Sequence, residues 1–250
     1  ALYPTQLQWV GRTGATGTPV APPANGLSDD ALEALVDEYD EWTAPAYRTY
    51  VSKIDLDGAT ISASATFDVP GQLVDQFAVS ETSDGGHVRF ATTARSALDW
   101  TRVSNGLLVY DAFTGDETGR VTHLAPGETI FAARFVGDAL CYLVTFVQTD
   151  PLYAIDVSDP LSDPVVLSEL KVDGFSTYLH PATVEVPSEG TADRLVGLGR
   201  DVGLTETGAV VEQGLQLALF DVDDPAAVTR LDVRVEGDRG SSSDALDDHR

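Results

Sequence analysis

The 250-residue chain has one cysteine, no methionine, two lysines and no long apolar run. A single thiol, Cys141, excludes an intramolecular disulfide framework and any multi-cysteine metal cluster. No stretch approaches the roughly 18 to 20 apolar residues of a membrane-crossing helix, so none is expected. Ala1-Leu2-Tyr3-Pro4 lacks a basic region followed by an apolar core, and no targeting segment is read at the start. Lys53 and Lys171 are the only lysines, and 40 acidic against 15 basic residues leave a net charge of -25. A phosphate backbone binds cationic surfaces, so nucleic acid is excluded as a partner. Such self-repulsion fades near 1 M salt, where the Debye length is about 3 Å. With few lysines, no methionine and abundant Asp, Ala, Val, Gly and Thr, the composition favours a salt-adapted protein over an ordinary acidic secreted one.

Familiar catalytic motifs are missing as well. There is no GxSxG elbow, Walker lysine or HExxH pair. Gly197-Leu-Gly199-Arg-Asp-Val-Gly203 has the spacing GxGxxxG and leads into a Thr/Glu/Gly-rich loop, where a dinucleotide site needs GxGxxG and a helix. It reads as strand and turn.

What is present is a repeat. Four alternating apolar segments end in an aspartate and a turn: Val51 to Asp55, Leu107 to Asp111, Leu152 to Asp156 and Leu217 to Asp221. A second strand follows each and closes on Gly71, Gly127, Gly174 or Gly237, at 16, 16, 18 and 16 residues from the aspartate. Successive aspartates are 56, 45 and 65 residues apart, so the hairpin is constant and the connections vary. Two further strand-like runs lie between hairpins, as in Gln76–Ser80 with His87–Ala91 and Phe131–Val136 with Leu140–Val147. Asp84-Gly85-Gly86 and Gly137-Asp138 supply the turns. Four antiparallel strands recurring near a period of 50 predict an all-β fold, a β-propeller of four-stranded blades. About four blades or partial blades are expected over 1–250, as part of a larger propeller. Two insertions interrupt it. Residues 11–41 read as a Gly/Pro/Thr-rich loop at 11–27 and a short amphipathic helix at about 29–41, N-capped by Ser28. The second lengthens the fourth unit from about Pro187 to Gly214, with a loop at 203–214.

The block Arg134-Phe-Val-Gly-Asp138, Tyr142-Leu-Val-Thr-Phe146, Asp150 to Pro160, Glu169 to Pro181 and Gly197 to Asp201 resembles secreted archaeal and bacterial proteins with a C-terminal β-propeller distantly related to WD repeats. The likeness covers most of 45–250. It implies an exported or cell-surface propeller whose biochemical role is uncharacterised, and it brings no catalytic residues to carry over.

Innermost propeller strands line the central channel, and here they are expected shortly after the closing glycines. Gln76, Arg134, His180 and His249 fall near equivalent positions and are the candidate ligand-binding residues of a channel mouth. The recurrent turn carboxylates, chiefly Asp156, Asp159, Asp221, Asp223 and Asp224, are candidate calcium ligands. Calcium takes six to eight oxygens, whereas each turn offers two or three carboxylates, so the competing reading is that these side chains accept backbone N–H bonds. No other cofactor is expected. Two functions follow: a secreted or surface scaffold that binds a protein or glycan, or an enzyme with a channel-mouth site, such as a metal-assisted hydrolase using His180 and His249.

Overall fold

The computed structural model describes residues 12–14, 39–146, 150–172, 174–187, 190–204, 210–241 and 243–246. Fifteen strands and two single-turn 3-10 helices, Gln76–Ala78 and Asp244–Leu246, make up the regular structure of these residues. Three sheets have four strands in sequential order. They are β4 (Val79–Glu81) to β7 (Glu117–Leu124), β8 (Thr129–Val136) to β11 (Val165–Val172), and β12 (Phe175–Val186) to β15 (Thr229–Glu236). The remaining sheet joins β1 (Arg12–Gly14), β2 (Arg48–Asp57) and β3 (Thr60–Pro70). Every ladder is antiparallel, as the expected blades require.

The repeated hairpin of the sequence is the last strand pair of each sheet: β2–β3, β6–β7, β10–β11 and β14–β15. β6 spans Val103–Asp111, β10 Asp150–Asp156 and β14 Val210–Asp221. All four carry a β-bulge at the same place, two residues before the repeat aspartate. Ser64, Thr118, Leu167 and Leu231 are the extra residues on the last strand. A bulge bends and twists the strand that holds it, so the four hairpins share their curvature as well as their length. The closing glycines Gly71, Gly127, Gly174 and Gly237 have φ of +86, +88, +82 and +77. Only glycine adopts this region without penalty, which is why the same residue recurs there.

Some expectations need correction. Asp55 is not a turn residue: it pairs with Ser62, and the turn lies further on at Gly58. Residues 12–14, within the span read as loop, form β1 against β2. Most of the 29–41 helix lies outside the described residues, and its last positions, 39–41, are bend and turn. The second insertion is mostly strand, since β13 (Gly190–Leu204) and β14 extend through it and leave only 205–209 between them. Gly199 in β13 sits where a Cβ would be 1.7 Å from the Phe175 carbonyl oxygen. Close approach of β12, through the Phe175 backbone at Gly199 and the Ser176 side chain at Gly197, explains that glycine pair.

The described chain forms two compact units. The first holds β1 to β7 together with Pro160–Asp163, and the second holds Val74–Ala78 with β8 to β15. In the first, Phe67 stacks on Tyr110 at 5.4 Å, and both meet Phe90 edge-on at 6.2 and 5.9 Å. Each aromatic pair adds about 0.5–1.5 kcal/mol beyond area burial. In the second, Tyr142, Leu152, Leu179, Leu195 and Phe220 form the centre of the core. Each unit repeats one tie. Thr118 at the β6–β7 bulge donates to the Pro160 carbonyl at 2.6 Å, and Ser168 beside the β10–β11 bulge donates to Pro225 at 2.7 Å. The Asp-Pro turns are therefore packing elements that present a carbonyl to a neighbouring strand.

Candidate functional site

Arg134 and His180 lie on β8 and β12, the first strands of their sheets, and both belong to the second unit. Gln76 is not on a strand. The Asp75 carboxylate accepts the N–H groups of Phe77 and Ala78 at 2.7 and 3.2 Å, folding 76–78 into a helical turn with Gln76 exposed. Its neighbour Phe77 takes the place expected for Gln76: the Arg134 guanidinium lies 4.3 Å from the Phe77 ring centroid and 6.0 Å from that of Tyr178. Phe77 and Tyr178 are 5.8 Å apart, and the Tyr178 hydroxyl is 3.2 Å from His180 Nδ1. Arg134, Phe77, Tyr178 and His180 thus form one cluster, with His180 exposed. His249 lies outside the described residues.

Chemically, the cluster is a partly buried cation held flat by two aromatic faces, beside a hydroxyl and an imidazole. Cation–π contact contributes about 0.5–2 kcal/mol and leaves the guanidinium edge free to donate. No carboxylate pairs with Arg134 among the described residues. Such an arrangement can present donors to an anion. Alternation explains the placement, because Tyr178 and His180 are two apart on β12 and share a face. Sequence reasoning missed Phe77 and Tyr178, since their approach to Arg134 is a long-range contact that no local pattern marks.

The turn aspartates are engaged with protein donors. Asp156 accepts the Ser158 N–H at 2.8 Å, and Asp224 that of Ala226 at 3.0 Å. Asp159 lies immediately before Pro160. Arg194 donates to both Asp221 and Asp223 at 2.9 Å, and Asp223 also receives the Asp193 N–H at 2.5 Å. The Arg194 hydrogen bond, followed by that backbone N–H, holds the Asp223 carboxyl below its ordinary range. Among the described residues no three His, Cys, Asp or Glu side chains come together in a metal-binding group.

A second cluster, in the first unit, was not legible in the sequence. Opposite Gly106, β7 carries two residues, Thr122 and His123, because Asn105 pairs with Leu124 and Leu107 with Val121. This bulge puts His123 at φ +60, a left-handed backbone that non-glycine residues adopt at a penalty of roughly 1–2 kcal/mol. His123 Nε2 lies 2.9 Å from Asp40 Oδ2 and 4.0 Å from Glu41 Oε1. Glu41 is buried, accepts the Ser104 hydroxyl at 2.5 Å and faces Arg102 at 3.9 Å, while Trp42 Nε1 donates to Ser104 at 2.9 Å. Burial raises the Asp40 pKa, but hydrogen bonds from Thr43, Trp42 and His123 outweigh it and hold the carboxyl below its ordinary 3.8. Every polar group here answers another, so this cluster fastens the chain before β2 onto β6 and β7.

Comparison with known proteins places the chain. Residues 27–250 match a family model described as the β-propeller domain. An uncharacterised protein of Methanocaldococcus jannaschii is 34% identical over 198 residues, which cover 79% of this chain and 27% of that protein. Another, from Archaeoglobus fulgidus, is 34% identical over 208 residues, covering 80% and 28%. The chain therefore spans little more than a quarter of the length of these relatives. Among solved structures, a puromycin-hydrolysing peptidase of Mycobacterium tuberculosis aligns over 90% of this chain and 36% of its own at 14% identity. Its TM-score of 0.38 is too loose to bear on fold or function. With its sequential antiparallel sheets and a match over 27–250, the chain belongs to the β-propeller domain family.

Proposed function

We propose that this propeller is a binding domain of an exported, surface-associated protein and holds a carboxylate-bearing protein or glycan at the Arg134 cluster. The observation that carries this reading is a guanidinium with no carboxylate partner among the described residues. In a chain with 40 acidic and 15 basic residues, a partly buried arginine has every opportunity to find an internal carboxylate, yet Arg134 lies over Phe77 instead. Planar carboxylates meet a guanidinium edge through two parallel hydrogen bonds, the strongest neutralisation available to it. Tyr178 and His180 add a hydroxyl and an imidazole beside it. The net charge of -25 repels extended polyanions at low ionic strength, which favours ligands with isolated carboxylates and a saline setting. Export follows the resemblance of the 130–201 block to secreted propeller proteins.

The test is a panel of uronate-containing oligosaccharides and peptides with single carboxylates, probed in 1 M KCl with the wild-type chain and with Arg134→Gln. Binding that falls tenfold or more in the variant supports the reading. A panel with no binder, or a binder indifferent to the substitution, removes it.

A further inference from the structure

Within the second unit, a cavity of about 290 Å3 is lined by Val136 of β8, Leu140 and Tyr142 of β9 (Leu140–Phe146), the stretch Pro181–Thr183, the stretch Asp193–Leu195 and Val222. At the roughly 30 Å3 that each water occupies in the liquid, it has room for about ten heavy atoms. Tyr142 is only 2% exposed, and its hydroxyl makes no hydrogen bond among the described residues. The phenol ring is covered while its hydroxyl stays open to the cavity, where a ligand can take the place of water. Burial, with the Asp193 carboxylate nearby, pushes its pKa up to about 12, so it stays a donor. Asp193 has one oxygen on the Thr183 hydroxyl at 2.9 Å. The cation of the wall, Arg194, is committed to Asp221, Asp223 and the Asp193 carbonyl, all within 2.9 Å. Asp193 lines the cavity and Asp221 and Asp223 neutralise Arg194 beside it, so the surroundings of the cavity are net negative.

We infer that this cavity is a binding site for a neutral hydroxylated ring, a single sugar residue. The inference stands apart from the Arg134 reading, because it uses a different cavity and the opposite local charge. The donor pattern decides the ligand class. The phenol O–H opens to the cavity as a donor and Asp193 lines the same cavity as an acceptor, so one ligand hydroxyl can accept from Tyr142 and donate to the carboxylate. An ammonium group accepts nothing and leaves the phenol unmet. A ligand carboxylate meets the negative wall. Val136, Leu140, Leu195 and Val222 supply apolar surface for the C–H face of a sugar ring, in the usual division of a pocket into apolar walls and a few polar anchors.

The experiment is saturation-transfer NMR with the methyl glycosides of glucose, mannose and galactose, and with galacturonate as the acidic arm, on wild type, Tyr142→Phe and Leu140→Trp. At least one neutral glycoside is expected to bind in the millimolar range. It should lose tenfold or more in affinity to Tyr142→Phe, disappear with Leu140→Trp, which fills the cavity, and exceed galacturonate tenfold. Tyr142→Phe keeps the ring and breaks no bond within the protein, so its urea midpoint should equal or exceed that of wild type. That readout distinguishes lost recognition from lost folding. The inference is overturned if no neutral glycoside binds at 100 mM, if galacturonate binds as well, or if Tyr142→Phe binds unchanged. Arg134→Gln tests the other site and should leave this one intact.

Discussion

His123 and His180 carry the same ring in opposite circumstances. His123 is held on a left-handed bulge with Asp40 at 2.9 Å and Glu41 at 4.0 Å, beside a buried tryptophan. His180, exposed like His123, sits in an extended strand with the Tyr178 hydroxyl as its partner at 3.2 Å. Near the first, carboxylates answer the polar groups. Near the second, a guanidinium lies on aromatic faces with no carboxylate partner among the described residues. Carboxylates are abundant throughout the sequence, so the difference is one of placement. Complete local pairing marks a fastening, and incomplete pairing marks a surface that awaits a partner.

The largest expected effect breaks the fastening. Trp42 is 4% exposed, donates to Ser104 and lies so close to Gly106 that a Cβ there would be 2.5 Å from its ring. Trp42→Ala is expected to lower stability by about 3–5 kcal/mol in a urea titration, as for other large aromatic truncations. Tyr178→Ala, at the half-buried cluster, is expected to remain below about 2 kcal/mol. Equal losses would dissolve the distinction between the two regions.

Acid sharpens it next. Asp40 has a depressed carboxyl in the folded state, so its contribution is complete above the unfolded pKa of about 3.9 and is lost as pH falls through the lower folded value. Asn at 40 keeps an oxygen for the Thr43 and Trp42 N–H groups and cannot titrate. Asp40→Asn should therefore flatten the acid limb of the stability curve below about pH 4, measured as urea midpoints from about pH 6 to 2. Relief of the general negative charge by acid is common to both proteins and cancels in the comparison. An unchanged limb would show that the bonds to Asp40 do not form in solution.

Backbone conformation distinguishes the two histidines by sign. At φ +60, glycine escapes the penalty that alanine meets, so His123→Gly should be more stable than His123→Ala by about 1 kcal/mol. In the extended strand at 180, glycine is the weaker residue by roughly 0.5–1 kcal/mol, and His180→Gly should fall below His180→Ala. The four chemical denaturation midpoints check both signs at once.

These contrasts also explain what the sequence reveals. The four hairpins are legible because aspartate and glycine recur where local geometry demands them: a carboxylate capping N–H groups, as Asp111 does for Phe113 and Thr114, and a residue with positive φ, as at Gly71. The bulges two residues before each aspartate are not legible, since they are properties of a register between strands. Arg134 and His180 emerge from their place after closing glycines. Gln76 fails because Asp75 caps a helical turn there, and Phe77 meets Arg134 instead. His123 gives no sign, for nothing local announces a left-handed histidine. Tyr142 reads as one more core residue of an alternating strand, and only the lack of a partner for its hydroxyl sets it apart.

The smallest stability effect is expected at His180, and it makes the comparison most directly functional. An exposed side chain away from caps and cores changes stability by less than about 0.5 kcal/mol when truncated. His180→Ala should therefore unfold at the wild-type urea midpoint. It also frees the Tyr178 hydroxyl and removes a ring beside Arg134, so any carboxylate ligand identified with the Arg134→Gln control should bind more weakly, by several-fold rather than completely. His123→Ala is the mirror experiment, with a stability loss and no change in that binding. If His180→Ala unfolds early and binds normally, the ring is a structural support, and the proposed anion site reduces to Arg134 with its two aromatic faces.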